Sequence, residues 1–236
     1  VRKVPCRINT IKFASDDVAI LQLQLPASER FQFLAGQYLE FLLKDNKRRA
    51  YSIASAPHEE GPLELHIRHL PGGLFTDPLF GQTADGKQIK EKDIFRFEGP
   101  LGSFFLREDS KKPIIFLASG TGFAPIKAML TSIQNKKIDR EIHFYWGGRR
   151  PKDLYMDSLC QEFTHTIPGF HYIPVISEAL PEDAWQGRTG FVHRAVMHDF
   201  SDLSPYQVYA CGAPIVITAA RTDFVKECRL PEEEFF

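Results

Sequence analysis

A chain of 236 residues can fill one large domain or two ordinary ones, and either would bury a core sufficient to fold unaided. Hydrophobic residues make up 43% and charged residues 25%, the balance of a folded globular protein, and no apolar run approaches the roughly 20 residues that span a bilayer. Lys and Arg total 29 against 30 for Asp and Glu, which removes the basic excess that nucleic-acid binding needs, so neither nucleic acid nor a membrane is an expected partner. The opening Val1-Arg2-Lys3-Val4-Pro5 has neither an initiator Met nor a signal-like apolar stretch and reads as an excised or processed segment.

From Val4 to Phe97 the pattern is that of strands. Val4 to Phe13, Val18 to Leu25, Tyr38 to Leu43 and Arg49 to Ala54 read this way, and the clearest case is Leu63, Leu65 and Ile67 alternating with Glu64, His66 and Arg68. Asp93 to Phe97 completes the set, with breaks expected at Pro26, Gly36, Pro57 and Gly99, while the polar stretch Asp85 to Glu91 reads as a surface loop. Six short strands without long helical patterns predict an antiparallel six-stranded β-barrel over residues 1–106, closed so that no edge is exposed. The charged stretch Arg107 to Lys112 is read as the linker, and residues 113–236 then alternate strand with helix. Pro113 to Ser119 fits a buried parallel strand, and Ile126, Met129, Leu130 and Ile133 fall on one helix face. Strands follow at Glu141 to Trp146, Phe170 to Ser177 and Tyr206 to Ala210, with helices near Tyr155 to Phe163, Phe191 to Met197 and Pro214 to Cys228, which makes an α/β open parallel sheet.

Four local patterns carry chemistry. Arg49-Ala50-Tyr51-Ser52 puts a guanidinium, an aromatic plane and a hydroxyl on one strand, a set suited to a planar cofactor with a phosphate tail. Pro71-Gly72-Gly73-Leu74-Phe75-Thr76 ends a strand and opens a short helix, where an anion is welcome. Ser119-Gly120-Thr121-Gly122-Phe123-Ala124-Pro125 lies between the first buried strand and its helix, so a diphosphate could approach its backbone; Pro125 stands where the dinucleotide fingerprint has its third Gly. Tyr209-Ala210-Cys211-Gly212-Ala213-Pro214 repeats the strand-to-helix turn and sets Cys211 at the carboxyl edge of the sheet. Each has a plainer alternative: a ligand-free turn, a solvated Arg beside a core Tyr, a Cys that is simply interior. No metal is expected, since His193 and His198 lack the i, i+4 spacing of a helical site. Cys6, Cys160, Cys211 and Cys228 have no metal or disulfide-scaffold spacing, which suits a reducing cytoplasm and excludes a Cys-x4-Cys-x2-Cys cluster loop.

The four patterns in this order resemble the ferredoxin–NADP reductase superfamily. Tyr51-Ser52-Ile53-Ala54, Leu65-His66-Ile67-Arg68-His69, Phe191-Val192-His193-Arg194-Ala195 and the Cys211 turn are most similar to the cytidine-diphospho-deoxyglucoseen reductases. The phenol-hydroxylase-type oxygenase reductases and the bacterial NAD(P)H-flavin reductases follow. The resemblance implies that Arg49 pairs with the flavin phosphate, Tyr51 stacks on the isoalloxazine and Ser52 bonds near its N5. It also implies that His66, Ile67 and Arg68 run beside the flavin and that Gly73 and Thr76 hold its diphosphate. Gly120, Thr121, Gly122 and Pro125 would cradle the nicotinamide dinucleotide, and Cys211 with Gly212 would border the nicotinamide; Arg149 and Arg150 follow the second parallel strand, where a 2′-phosphate could sit, or are simply surface charge. On this resemblance Ser52 and Cys211 are the catalytic candidates, FAD is expected rather than FMN, and NADH is preferred over NADPH.

The expected activity is therefore an NAD(P)H-dependent flavoprotein reductase that accepts hydride at flavin N5 and passes electrons to an iron–sulfur centre or a protein partner. No acid or base is required, because orienting the two rings supplies the rate and the flavin does the electronic work. A two-iron two-sulfur cluster enters only through a fused domain outside this chain. Two alternatives stand beside it: an NAD(P)H:free-flavin reductase, and a non-catalytic nucleotide-binding or docking module. Reductases of the resembled kind finish with a last strand and an aromatic near the flavin, so either Phe235 or Phe236 reaches the site or that strand has been cut away.

Overall fold

A computed structural model describes residues 1–236 as two compact units. The first comprises Val1–Leu106 together with Lys127–Ser132; the second comprises Arg107–Ile126 and Ile133–Phe236. No helix is long and apolar enough to cross a membrane.

The first unit is an antiparallel sheet of six strands, β1 (Arg2–Phe13), β2 (Val18–Gln24), β3 (Tyr38–Leu42), β4 (Arg48–Ser52), β5 (Leu63–Arg68) and β6 (Ile94–Leu101), with one short helix, α1 (Thr76–Leu79). Their order is β4-β3-β6-β1-β2-β5. The two outer strands meet through an antiparallel bridge between Ile53 and Leu65 and a hydrogen bond from the Ala54 N–H to the Glu64 carbonyl at 2.8 Å, which closes the barrel. Alternation works as read: Leu63, Leu65 and Ile67 point into a core shared with Val4, Ile8, Leu21, Phe41 and Phe97.

Gly99 does not break a strand. β6 continues through Gly99 and Pro100 to Leu101, pairing Arg2 with Gly99 on one side and Tyr38 with Leu101 on the other. The glycine is there for room, because a Cβ at that position would stand 3.3 Å from the Leu39 Cβ on the neighbouring strand. The polar stretch from Asp85 to Glu91 is a loop, yet Ile89 within it turns inward and joins the barrel core.

The second unit is a parallel sheet of β7 (Ile114–Ser119), β8 (Ile142–Gly148), β9 (Phe170–Ile176), β10 (Arg188–Thr189) and β11 (Gln207–Cys211), with both ends of helix α2 (Phe123–Lys136), whose middle, Lys127–Ser132, groups with the first unit, and with helices α3 (Asp157–Thr166), α4 (Val192–Asp199) and α5 (Pro214–Glu227). The order β10-β9-β8-β7-β11 runs outward from β7 in one direction and then returns to its other side, so the crossover direction reverses between β7 and β11. The two-residue β10 is too short to show alternation in the sequence. At the outer edge of β11 the last residues pair in parallel: Phe235 bridges Val208, and the Phe236 carbonyl accepts the Ala210 N–H at 3.0 Å. Phe236 stacks on Tyr209 at 4.9 Å beneath the Arg107 guanidinium, and Phe235 packs edge-on against Phe224.

Arg107 to Lys112, read as a linker, falls in the second unit. Arg140, almost fully buried, donates to the Lys112 carbonyl at 2.5 Å, the Arg107 carbonyl at 3.1 Å and the Gln207 side chain at 2.8 Å. A buried guanidinium needs such acceptors, and this one draws them from both ends of the stretch.

Candidate cofactor-binding sites

In the barrel, β3 pairs Phe41 with Arg49 and Leu39 with Tyr51, so Arg49 and Tyr51 share a face, as their spacing demands. The Tyr51 ring rests against Phe41 at 5.9 Å and Phe75 at 5.7 Å, and burial pushes its phenol up to about 12. It is a neutral plane held by other aromatics, with part of its surface still open. The two adjacent arginines differ. Arg48 is tied to Glu40 and Glu98 at 3.1 Å each, whereas Arg49 donates only to the Arg48 carbonyl, at 2.7 Å, and meets no carboxylate. A cation left uncompensated beside an aromatic plane is the donor set a phosphate-tailed ring system requires. Ser52, half-buried, pairs with Tyr38 at the end of the strand.

β5 ends the sheet order. Ile67 points into the barrel core and His66 is buried, its Nε2 2.8 Å from a Glu64 oxygen that also lies 3.1 Å from the Lys127 ammonium. Burial alone would raise the Glu64 carboxyl, but the His66 hydrogen bond and the Lys127 charge outweigh it and hold it at about 2. Burial also depresses His66, against the pull of Glu64. Neither the His66 ring nor the Ile67 side chain is thus offered to a ligand, while Arg68 points outward to Asp17 at 3.1 Å.

The glycine turn after β5 is braced from within. The Thr76 hydroxyl donates to the Leu70 carbonyl at 2.9 Å and accepts the Leu70 N–H at 3.2 Å, and Asp77 accepts from the Gly72 N–H at 3.1 Å. A Cβ at Gly73 would overlap the Thr76 hydroxyl and crowd the Leu70 carbonyl at 2.8 Å. Thr76 thus shapes the turn, and an anion there would meet backbone.

In the second unit the glycine turns after β7 and β11 come together at the carboxyl edge, where the sheet order reverses. The Ser119 hydroxyl accepts the Ala213 N–H at 2.8 Å, and a Cβ at Gly122 would run into the Cys211 carbonyl and lie 2.8 Å from the Gly212 nitrogen. Gly120 takes a φ of +54°, and its carbonyl accepts the Trp146 indole N–H at 3.0 Å. α2 opens at Phe123 with Pro125 in its first turn, where a missing N–H costs nothing. Cys211 ends β11 half-buried, and burial pushes its thiol up to about 11, so it is uncharged at neutral pH.

Arg149 follows β8 and is exposed, 3.9 Å from Glu178; its neighbour Arg150 is bound through two 2.7 Å hydrogen bonds to Asp183. Both backbone N–H groups are capped by Asp153 at 2.9 Å. His193 pairs with Asp223 at 3.3 Å and His198 with Asp199 at 3.1 Å.

The oxidoreductase FAD-binding domain family matches residues 5–106 and the oxidoreductase NAD-binding domain family matches residues 116–222. The CDP-6-deoxy-L-threo-D-glycero-4-hexulose-3-dehydrase reductase of Yersinia pseudotuberculosis is 44% identical over 98% of this chain and 67% of its own length. The chain belongs to the ferredoxin–NADP reductase superfamily. Within it, a probable flavin reductase of Aliivibrio fischeri is 30% identical over 98% of this chain and 95% of its own length. The crystal structure of an Amycolatopsis cytochrome P450 reductase superposes with a TM-score of 0.86 at 28% identity, over 99% of this chain and 68% of that one. This reductase therefore spans about two thirds of the first and third of these relatives. It is an NAD(P)H-dependent flavin oxidoreductase with FAD- and NAD-binding domains.

The sequence missed Glu64, Lys127, Trp146 and Arg140. A signal existed only for Trp146: an indole in a buried strand must find an acceptor, and the glycine turn next door offers one. Lys127 and Arg140 act through partners remote in the chain, and Glu64 joins its near neighbour His66 to the remote Lys127.

Proposed function

We propose that this reductase holds FAD on the barrel face of β4 and the glycine turn before α1, takes NADH at the two glycine turns of the parallel sheet, and delivers electrons to an iron–sulfur centre or protein acceptor outside these 236 residues. The observation that carries the reading is Arg49, a cation with no carboxylate partner beside the half-buried Tyr51 plane. Arg49 pairs with the flavin phosphate, Tyr51 lies along the isoalloxazine, Ser52 donates to its nitrogen edge, and the backbone of His66, Ile67 and Arg68 borders it. Gly73 leaves room for the diphosphate, with Thr76 holding the turn in shape. Bound flavin accepts hydride from a reduced nicotinamide and can release electrons singly or in pairs.

Gly120, Thr121, Gly122 and Pro125 present the start of α2 to the dinucleotide phosphates, where N–H groups and the helix dipole favour anions. Cys211 and Gly212 border the nicotinamide, and the neutral Cys211 thiol acts by contact rather than as a nucleophile. NADH is favoured over NADPH because Arg150 is already neutralised by Asp183 and Arg149 faces Glu178, leaving little positive charge for a 2′-phosphate.

Reduction of a one-electron dye and anaerobic bleaching by NADH test the reading, with visible flavin absorbance expected to survive desalting. Loss of the flavin with retained turnover on added flavin would favour the free-flavin reductase, which the near-complete coverage of the Aliivibrio relative supports. Failure to reduce either dye or flavin would leave a nucleotide-binding module.

A further inference from the structure

At the amino-terminal end of the parallel sheet, away from the glycine turns, two histidines stand side by side. His143 is the second residue of β8 and His171 the second of β9, and the parallel register sets them directly opposite each other. Their rings stack at 4.6 Å with planes 16° apart, and Phe200 closes the edge of His143 at 5.0 Å. Glu141 lies two residues before His143, so strand alternation brings its carboxylate to the same face, 2.7 Å from His143 Nε2. One donor atom from each of the three falls within 4.8 Å of the others.

We propose that Glu141, His143 and His171 bind a borderline divalent cation, zinc being the probe of choice. Two imidazoles and one carboxylate are the donors that zinc, nickel and copper take in preference to magnesium or calcium. Three protein ligands leave a fourth position to water. Tetrahedral bonds of about 2.0–2.2 Å set donors roughly 3.2–3.6 Å apart, so the Glu141 carboxylate must back away from the 2.7 Å it now keeps to His143 while wider separations, up to 4.8 Å, close, movements that the exposed Glu141 and His171 can make while the more buried His143 stays fixed. An ion there clasps β8 to β9. It takes no part in hydride transfer, because Gly148, at the other end of β8, is five residues away, roughly 16 Å along the strand.

The test is calorimetric titration of the flavin-loaded protein with zinc chloride after dialysis against a chelator and then metal-free buffer. One equivalent is expected to bind at micromolar zinc. His171→Asn, at an exposed position outside the cofactor sites, should weaken binding by at least about tenfold while NADH-dependent dye reduction is unchanged. Glu141→Gln should weaken it less. Cobalt in place of zinc should give visible bands of a tetrahedral nitrogen and oxygen site without a thiolate charge-transfer band. Absence of binding, equal affinity in His171→Asn, or a thiolate band pointing to a cysteine would each overturn the proposal.

Discussion

The two units solve the same problem, holding a nucleotide, with different parts. In the barrel the candidate contacts are side chains on strands, and their neighbours decide what each can offer: Arg49 is left without an acid while Arg48 is saturated by two. In the parallel sheet the candidate contacts are mostly backbone, shaped by glycines that sit where no side chain could. Substitution should therefore act by degrees in the barrel and by exclusion in the sheet.

The largest effect is expected at Gly122. Gly122→Val drives a side chain into the Cys211 carbonyl, so NADH-dependent reduction should fall by about 100-fold or more, worth roughly 2.7 kcal/mol, in stopped-flow measurements on protein whose circular dichroism is unchanged. An active valine variant would break the contrast at once. Arg49→Ala removes the proposed charge-assisted contact and should loosen flavin by roughly 10- to 100-fold in a filtration assay, with hydride transfer at saturating flavin much less affected.

Glu64 sharpens the comparison through pH. Its carboxyl, held at about 2 in the folded barrel against 4.5 when freely solvated, contributes stability that is present above about pH 4.5 and is lost as pH falls towards 2. His66, also depressed, adds a loss of the same sign that begins as pH drops below 6.5. Denaturant titration of Glu64→Gln should show about 2 kcal/mol less dependence on acid than the unaltered protein. The smallest change is expected for Cys211→Ala: about a tenfold slower reduction, with the fold intact and no pH step from a thiolate, because the thiol is neutral below about 11. Bleaching at the unaltered rate would remove Cys211 from the site.

Much of this was legible because local rules and tertiary ones agree. Leu63, Leu65 and Ile67 announce a half-buried strand and are one, and the turn at Ser119 to Gly122 falls between strand and helix as its composition requires. Gly99 misled because a glycine that gives room to Leu39 looks the same as one that ends a strand. The bracing of Gly120 by Trp146 and the meeting of His143 with His171 both depend on which segments become neighbours. No single stretch of sequence carries that information. The same holds for His66, whose motif position implies a cofactor contact while its ring is occupied by Glu64.

Arg140 also alters how the stretch from Arg107 to Lys112 responds to proteases. Its basic residues look like an open invitation to trypsin. Yet the Arg107 N–H is bound to the Tyr209 hydroxyl at 3.0 Å, both end carbonyls are gripped by Arg140, and the Lys112 ammonium is held by Glu234 at 2.6 Å. A cleavable bond must first be peeled into an extended shape, so the segment should outlast its composition under limited digestion and turn labile once Arg140 is replaced.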